Sequence, residues 1–389
     1  MEYRFTVSDD RELIYLDNSA TTKAGPEAVQ ALCEAAVKDY GNPSSLHRLG
    51  LEAQQRMDRA RENAARLLHA KPEEITFTSG GTEANNLAII GAATALKRRG
   101  NKIMITNTEH SSALDAAKHL QEQGFAVDYI EVSKTGEIDI EKAVSQIGEN
   151  TLLISVMAVN NETGAVYPVR ELSLAAHRKK PDILFHCDAV QAFGKMPIDV
   201  SKWRLDLLSA SAHKIHGVKG AGLLYKTRNA RILPRTFGGG QEKKLRTGTE
   251  SVPLIASFGE ACRLAYENME ENRAYMQGLY DYAVKTLSEI PDIRLHIMAH
   301  PFPYLLNLST MSIKSETMIH FLAGRNIFVS GGSACAKGAK SETLAAMGYS
   351  DREIASALRI SFDRQNTMEQ IDRLAAALRE GMDTLVKMR

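Results

Sequence analysis

The chain has 389 residues, 44% of them apolar and 24% charged, with a formal net charge of +1. The length exceeds what one hydrophobic core usually serves and predicts two domains, while the balanced charge argues against a nucleic-acid-binding protein. The four cysteines, Cys33, Cys187, Cys262 and Cys335, form no C-x-x-C pair, which argues against a zinc site or a disulfide framework and fits a reducing, cytoplasmic setting.

Taken in chain order, the N-terminal stretch MEYRFTVSDDRELIYLD mixes acids with bases and is not expected to be a signal peptide. No apolar run approaches the ~20 residues of a membrane helix. Short apolar runs predict strands at 74–78 (EITFT), 102–106 (KIMIT), 126–132 (AVDYIEV), 152–159 (LLISVMAV), 183–189 (ILFHCDA), 205–211 (LDLLSAS) and 222–226 (GLLYK). Helical spacing fills 81–100 and 112–124 between them, and strand–helix alternation of this kind predicts a mostly parallel α/β sheet. From about residue 256 long helical stretches lead to short strands around LLNLSTMSI and IFVSGG, and the helix of TMEQIDRLAAALREGMDTLVKM closes the chain. The pattern predicts a large α/β domain over 15–257 and a smaller α+β domain from 1–14 and 258–389.

In open α/β sheets ligands sit outside the carboxyl ends of the strands, so the residues that follow each strand matter most. After EITFT comes SGGTEANN, where glycines and a helix start offer an anion site suited to one phosphate, although the motif alone favours a plain turn capped by Thr82. His110 follows KIMIT, Asn160 and Asn161 follow LLISVMAV, and Asp188 ends an apolar strand, where a carboxylate needs a cation or several donors. Lys214 follows LDLLSAS, between two histidines. A phosphate cradle, a carboxylate, an amine, an amide and an imidazole on one sheet edge suit pyridoxal 5′-phosphate: the lysine forms the Schiff base and the aspartate keeps the pyridine nitrogen protonated. A metal site at His213 and His216, or at His186, Cys187 and Asp188, fits less well, because alternating strand positions put Cys187 on the opposite face from its neighbours.

Many ordered stretches carry a resemblance over nearly the whole chain: YLDNSATT (15–22), YGNPSSLH (40–47), TSGGTEANN (78–86), TEHSS (108–112), VNNETGAV (159–166), HCDAVQAFGK (186–195), SASAHKIHGVKG (209–220), GGGQEKKLRTGTE (238–250), SGGSACA (330–336) and LRISFDRQNT (358–367). The sequence resembles the cysteine desulfurases of the NifS/IscS-like group, within the class-V aminotransferase-like family of fold-type I pyridoxal-phosphate enzymes. The resemblance implies that Lys214 is the Schiff-base lysine, that His110 stacks on the ring and shuttles protons, that Asp188 pairs with the pyridinium nitrogen and that Gln191 bonds the phenolic oxygen. It implies that Gly81, Thr82, Ser211 and His213 hold the phosphate and that Asn161 and Arg359 bind the substrate. Thr249 would reach the phosphate of a neighbouring subunit, which implies a homodimer.

The same resemblance makes Cys335, on a loop of about 328–345, the nucleophile: it would take sulfur from L-cysteine as a persulfide, leave L-alanine and pass the sulfur to an acceptor protein, an iron–sulfur scaffold or a tRNA-thiolation enzyme. The chain departs from the family pattern in a shorter loop between Cys335 and Gly348, in the sequence KSETL where a proline is common, in Ala212 where glycine is common and in Lys243 where arginine is usual. The alternatives are a selenocysteine lyase, another class-V aminotransferase-like enzyme, and a sulfur-trafficking scaffold without turnover. Cys33, Cys187 and Cys262 are expected to be packed or incidental thiols, and His47, His216, Asn42 and Ser44 carry no assigned role.

Overall fold

A computed structural model describes residues 13–332 and 340–388. In chain order its strands are β1 (Ile14–Tyr15), β2 (Ile75–Thr78), β3 (Lys102–Thr106), β4 (Ala126–Ile130), β5 (Thr151–Met157), β6 (Leu184–Asp188), β7 (Leu207–Ser211), β8 (Gly222–Lys226), β9 (Arg294–His296), β10 (Leu305–Ser309), β11 (Ile327–Phe328) and β12 (Ala357–Ser361).

Strands β2 to β8 are the seven expected from the sequence, and they build one sheet in the order β2-β8-β7-β6-β5-β3-β4. All neighbours run parallel except β8, which is antiparallel to both β2 and β7. Period-two alternation divides their side chains between two cores. Ile103, Ile105, Leu153, Leu207 and Leu224 pack on one face with Ala84, Leu87 and Ile89 of the helix Gly81–Leu96. Met104, Ile154, Phe185, Leu208 and Leu223 point the other way, into the larger core. Both faces being covered, β5, β6 and β7 are buried along their whole length, which is why they read as continuous apolar runs.

The helix Val252–Ser288 lies against the helices Pro26–Val37 and Arg48–Leu68. Phe258 meets Phe77 and Phe193 edge to face, with ring centroids 6.5 and 6.0 Å apart. Gly259 lets this helix approach closely, since a Cβ there would lie 2.5 Å from the Cα of Ala60. Beyond it, β12-β10-β9 form an antiparallel sheet, with Asn307 opposite Arg359. The start of the chain joins this region: β1 pairs in parallel with β11, and Asp17 bridges to Ser361. Thus the fold is α/β, with a mostly parallel mixed sheet between helices, followed by a smaller antiparallel sheet with its own helices. No helix among the described residues is long and apolar enough to cross a membrane.

The segment 238–250 is seated by a buried ion pair. Arg61 donates to Glu242 at 2.7 and 3.0 Å, and the Phe77 N–H donates to the same carboxylate at 3.1 Å. Glu242, Lys243 and Lys244 all have left-handed backbone angles, with φ of 44, 56 and 66°. Three such non-glycine residues in a row are costly, so the Arg61–Glu242 pair must offset that cost. Glu242→Ala leaves the Arg61 guanidinium inside without its carboxylate and should destabilise the protein by about 3–5 kcal/mol. Urea denaturation checks this; a loss within the scatter of surface substitutions would show that the pair does not hold the segment.

Candidate active site

The carboxyl ends of β2, β3, β5, β6 and β7 open onto one pocket. Gly81 and Thr82 stand at its edge where the helix Gly81–Leu96 begins, so their end of the helix supplies unpaired N–H groups and a positive dipole end. Gly81 has no room for a side chain, because a Cβ would sit 2.6 Å from Cγ2 of Val190, just beyond β6. Ser211 and His213 face the same corner from the end of β7. His213 shares a hydrogen bond between its Nδ1 and the Thr21 hydroxyl at 3.2 Å. Burial, aided by the charges of Lys214, Lys219 and Lys195, pushes its pKa down to about 4, so the ring is neutral.

Lys214 follows on a 3₁₀ turn over Ala212–Lys214. Its Nζ donates to the carbonyl of Ser19 and, at 2.9 Å, to that of Ala20. Burial, with Arg359 and Lys195 nearby, pushes this amine down to about 7, against the opposing pull of Asp17 and Asp188. A sizeable fraction is therefore neutral and basic at physiological pH, unlike an ordinary lysine. Asp188 ends β6 and is buried, with both oxygens engaged: Oδ1 accepts from the Val190 N–H at 2.9 Å and Oδ2 from Asn85 Nδ2 at 2.7 Å. Gln191, one turn on, donates to the Ser19 carbonyl at 2.9 Å.

His110 caps the helix Ser111–Glu122, and Asn161 follows β5; both line the pocket. The neighbouring Asn160 is spent on structure: its Oδ1 accepts from the N–H groups of Glu162 and Thr163, and its Nδ2 donates to the Thr108 carbonyl. Arg359 reaches the pocket from β12 and is 1% exposed. It donates to the Asn161 carbonyl at 2.8 Å and to Asp17 Oδ1 at 3.0 Å.

One expected residue is not brought to this pocket by its own chain. Thr249 is exposed, on the segment that Glu242 anchors, and does not line the pocket of its own chain. Cys335 lies outside the described residues. The described residues on either side of it converge on one acid: the Ser341 hydroxyl donates to Glu162 Oε2 at 2.5 Å, and a Cβ on Gly332 would lie 2.9 Å from that oxygen. Glu162 adjoins Asn161, and Ser330 bridges to Arg359, so both flanks of the cysteine segment stand beside the pocket.

The donor set fits pyridoxal 5′-phosphate. A helix start, a hydroxyl and an imidazole suit one phosphate; a buried carboxylate suits a protonated ring nitrogen; a depressed lysine amine suits a carbonyl carbon. The buried Oδ1 of Asn85, without a hydrogen-bond partner, adds an unsatisfied acceptor beside Asp188.

The aminotransferase class-V family model matches residues 14–374. The chain belongs to that family. Among its relatives, a "NifS/IcsS protein homolog" of Lactobacillus delbrueckii subsp. bulgaricus is 40% identical over 375 residues, covering 95% of this chain and 97% of that protein. A "Cysteine desulfurase IscS" of Methanosarcina thermophila is 38% identical over 387 residues, covering 98% and 95%. A solved "NifS-like protein" superposes with a TM-score of 0.91 at 34% identity, over 96% of this chain and all of that one.

Sequence reasoning passed over several residues in and around this class-V pocket. Asp17 lies in YLDNSATT without any sign that it meets Arg359, 342 positions away. Asn85 and Ser112 are polar residues inside helices, where spacing carries no signal for them. Glu109 had a signal, an acid just past an apolar strand, which was the argument applied to Asp188. It is 3% exposed, accepting from the Thr106 hydroxyl and, at 2.7 Å, from the Met157 N–H.

Burial pushes the Glu109 pKa from 4.5 up to about 8, with the Asp188 charge adding to it and the Thr106 and Met157 hydrogen bonds opposing. The folded state keeps a proton that the unfolded state releases between these two values. Stability carried by the protonated carboxyl is therefore full below the unfolded pKa and is lost as pH rises to about 8. Glu109→Gln cannot ionise, so it should gain on the parent by up to about 1.4 kcal/mol per pH unit across that window. Urea denaturation of both proteins at pH 5 and pH 8 checks this; parallel changes would refute it.

The remaining cysteines and His186 have structural settings. Cys187 and Cys262 are fully buried, which pushes both thiols well above their ordinary value, and Cys33 is exposed. His186 is held between the hydroxyls of Ser155 and Ser209 at 2.8 and 2.9 Å, and burial lowers its pKa to about 3.

Proposed function

We propose that the protein is a pyridoxal 5′-phosphate-dependent cysteine desulfurase that converts L-cysteine to L-alanine and carries the sulfur as a persulfide on Cys335. The observation that carries this reading is the convergence of the low-pKa Lys214 amine, the Asp188 carboxylate and the buried Arg359 guanidinium on one pocket flanked by the cysteine segment. Relatives named cysteine desulfurase, similar over nearly the whole chain, support it.

Bound cofactor supplies a carbonyl for the substrate amine and a ring that takes up an electron pair. Gly81, Thr82, Ser211 and His213 hold its phosphate, Gln191 its phenolic oxygen and Asp188 its ring nitrogen. His110 covers the ring. Arg359 and Asn161 orient the substrate carboxylate. Lys214, neutral at Nζ, takes the proton from the substrate Cα. The Cys335 thiolate then attacks the substrate sulfur: a sulfur–sulfur bond forms, the Cβ–sulfur bond breaks, and its electron pair and a proton end on Cβ. L-cysteine and one thiol thus become L-alanine and one persulfide, with no outside oxidant.

In this reading the persulfide passes to an acceptor protein, an iron–sulfur scaffold or a tRNA-thiolation enzyme. Two copies of the chain form a homodimer in which Thr249 serves the neighbouring pocket; its exposure on an anchored segment supports this. The large cofactor-binding domain is residues 15–257, and 1–14 with 258–389 form the smaller one. The setting is the cytoplasm.

The test is turnover of L-cysteine by protein loaded with pyridoxal 5′-phosphate. Without reductant, alanine should stop near one per protein chain, and mass spectrometry should find one extra sulfur on the Cys335 peptide. With dithiothreitol, alanine and sulfide should accumulate together. Alanine without any sulfur on Cys335 would point instead to a lyase that needs no protein nucleophile.

A further inference from the structure

A line of hydrogen bonds joins Asp188 to His110 through Asn85 and Ser112, two pocket-lining residues to which the proposed chemistry gives no role. Asn85 Nδ2 is 2.7 Å from Asp188 Oδ2 and 2.9 Å from Ser112 Oγ. Ser112 Oγ is 2.8 Å from His110 Nδ1, and the Ser112 N–H donates to the same nitrogen at 3.1 Å. Asn85 and Ser112 are 1% and 8% exposed, so water does not compete freely for these bonds.

The direction of each bond follows from the one before it. A carboxylate oxygen accepts, so the Asn85 amide must turn its NH₂ group toward Asp188. That group has a second hydrogen, which goes to Ser112 Oγ. Ser112 Oγ therefore accepts from Asn85 and spends its own hydrogen on its other close neighbour, His110 Nδ1. Two donors, the hydroxyl and the backbone N–H of Ser112, then converge on one ring nitrogen, which must offer its lone pair. The same orientation turns the Asn85 Oδ1 away, which accounts for that atom being buried without a partner.

We propose that Asn85 and Ser112 are positioning residues that set the His110 tautomer, with Nδ1 as acceptor and the proton of the neutral ring on Nε2. Nε2 has no protein partner among the described residues, so this relay turns the proton-bearing nitrogen away from the helix start. Within the function proposed above, on which only this last role rests, the atom of His110 that exchanges protons in the pocket is Nε2. A substitution at Ser112 alters that atom's proton while leaving the His110 side chain itself in place.

The tautomer can be read in the absence of cofactor and turnover. In full-length protein labelled with [¹⁵N]histidine, long-range proton–nitrogen correlation reports both ring nitrogens, and His110→Gln assigns the signal. The parent protein should show His110 as the Nε2–H form. Ser112→Ala removes the hydroxyl donor but not the backbone one, and should lower the ratio of Nε2–H to Nδ1–H about fivefold, the size expected for one neutral hydrogen bond. Asn85→Ala, which frees the serine hydroxyl to turn, should move the ratio the same way by a smaller step, and Ser112→Thr should restore it. A parent protein with the Nδ1–H form, or a ratio unmoved in both Ser112→Ala and Asn85→Ala, would overturn the proposal whatever the L-cysteine assay gives.

Discussion

Lys214→Ala should form no measurable alanine from L-cysteine, a loss on the order of 10³-fold or more, as expected when the group that takes the substrate proton is removed. The protein should also lose the visible absorption of bound pyridoxal 5′-phosphate, because the amine that meets its carbonyl is gone. The fold should survive: Lys214 makes its bonds to two backbone carbonyls, Ser19 and Ala20, and shedding a buried amine relieves the burial that depresses its pKa to about 7. Circular dichroism and thermal melting separate the two effects. A variant with native melting and retained alanine formation would remove Lys214 from the chemistry.

The second large effect belongs to Cys335. Cys335→Ala should abolish sulfide and persulfide formation from L-cysteine while leaving the absorption of bound pyridoxal 5′-phosphate intact, because the residues proposed to hold that cofactor are on other elements. The same variant offered selenocysteine discriminates among family members: a selenocysteine lyase that needs no protein nucleophile would keep releasing alanine. Loss with both substrates fits the desulfurase; unchanged release of sulfide from L-cysteine would refute a role for the thiol.

Much of this was legible in the sequence for a simple reason. The strands that carry the site are covered on both faces, so they appear as apolar runs, and a polar or ionisable residue just past such a run sits on the ligand edge. Gly81, His110, Asn161 and Lys214 follow strands in this way, Asp188 and Ser211 end theirs, and all six line one pocket. What the sequence hid was whatever depends on distant or off-pattern partners. β12 contains a buried arginine in ALRIS, which breaks the apolar pattern of a strand, and its strand character is set by pairing with β10. β1 is two residues long and exists only because β11 pairs with it. Asn85 and Ser112 sit inside helices, where a polar residue reads as surface until the neighbouring strand end places Asp188 against it. The proposed role of Arg359 toward a substrate carboxylate rested only on family resemblance, and its bond to Asp17 was not legible at all.

The pairing of the chain's beginning with its end has a consequence for how the molecule comes into being. A ribosome delivers Ile14–Tyr15 and Asp17 long before their partners Ile327–Phe328, Arg359 and Ser361. The seven-stranded sheet, contained within residues 75–226, has all its strands available while the leading segment still waits. Such late closure between remote segments carries the entropy of a very long loop and comes after local structure. Nascent molecules therefore own the floor of the pocket before they own its arginine, and premature termination anywhere ahead of the final strand yields a scaffold that lacks the group proposed to orient the substrate carboxylate.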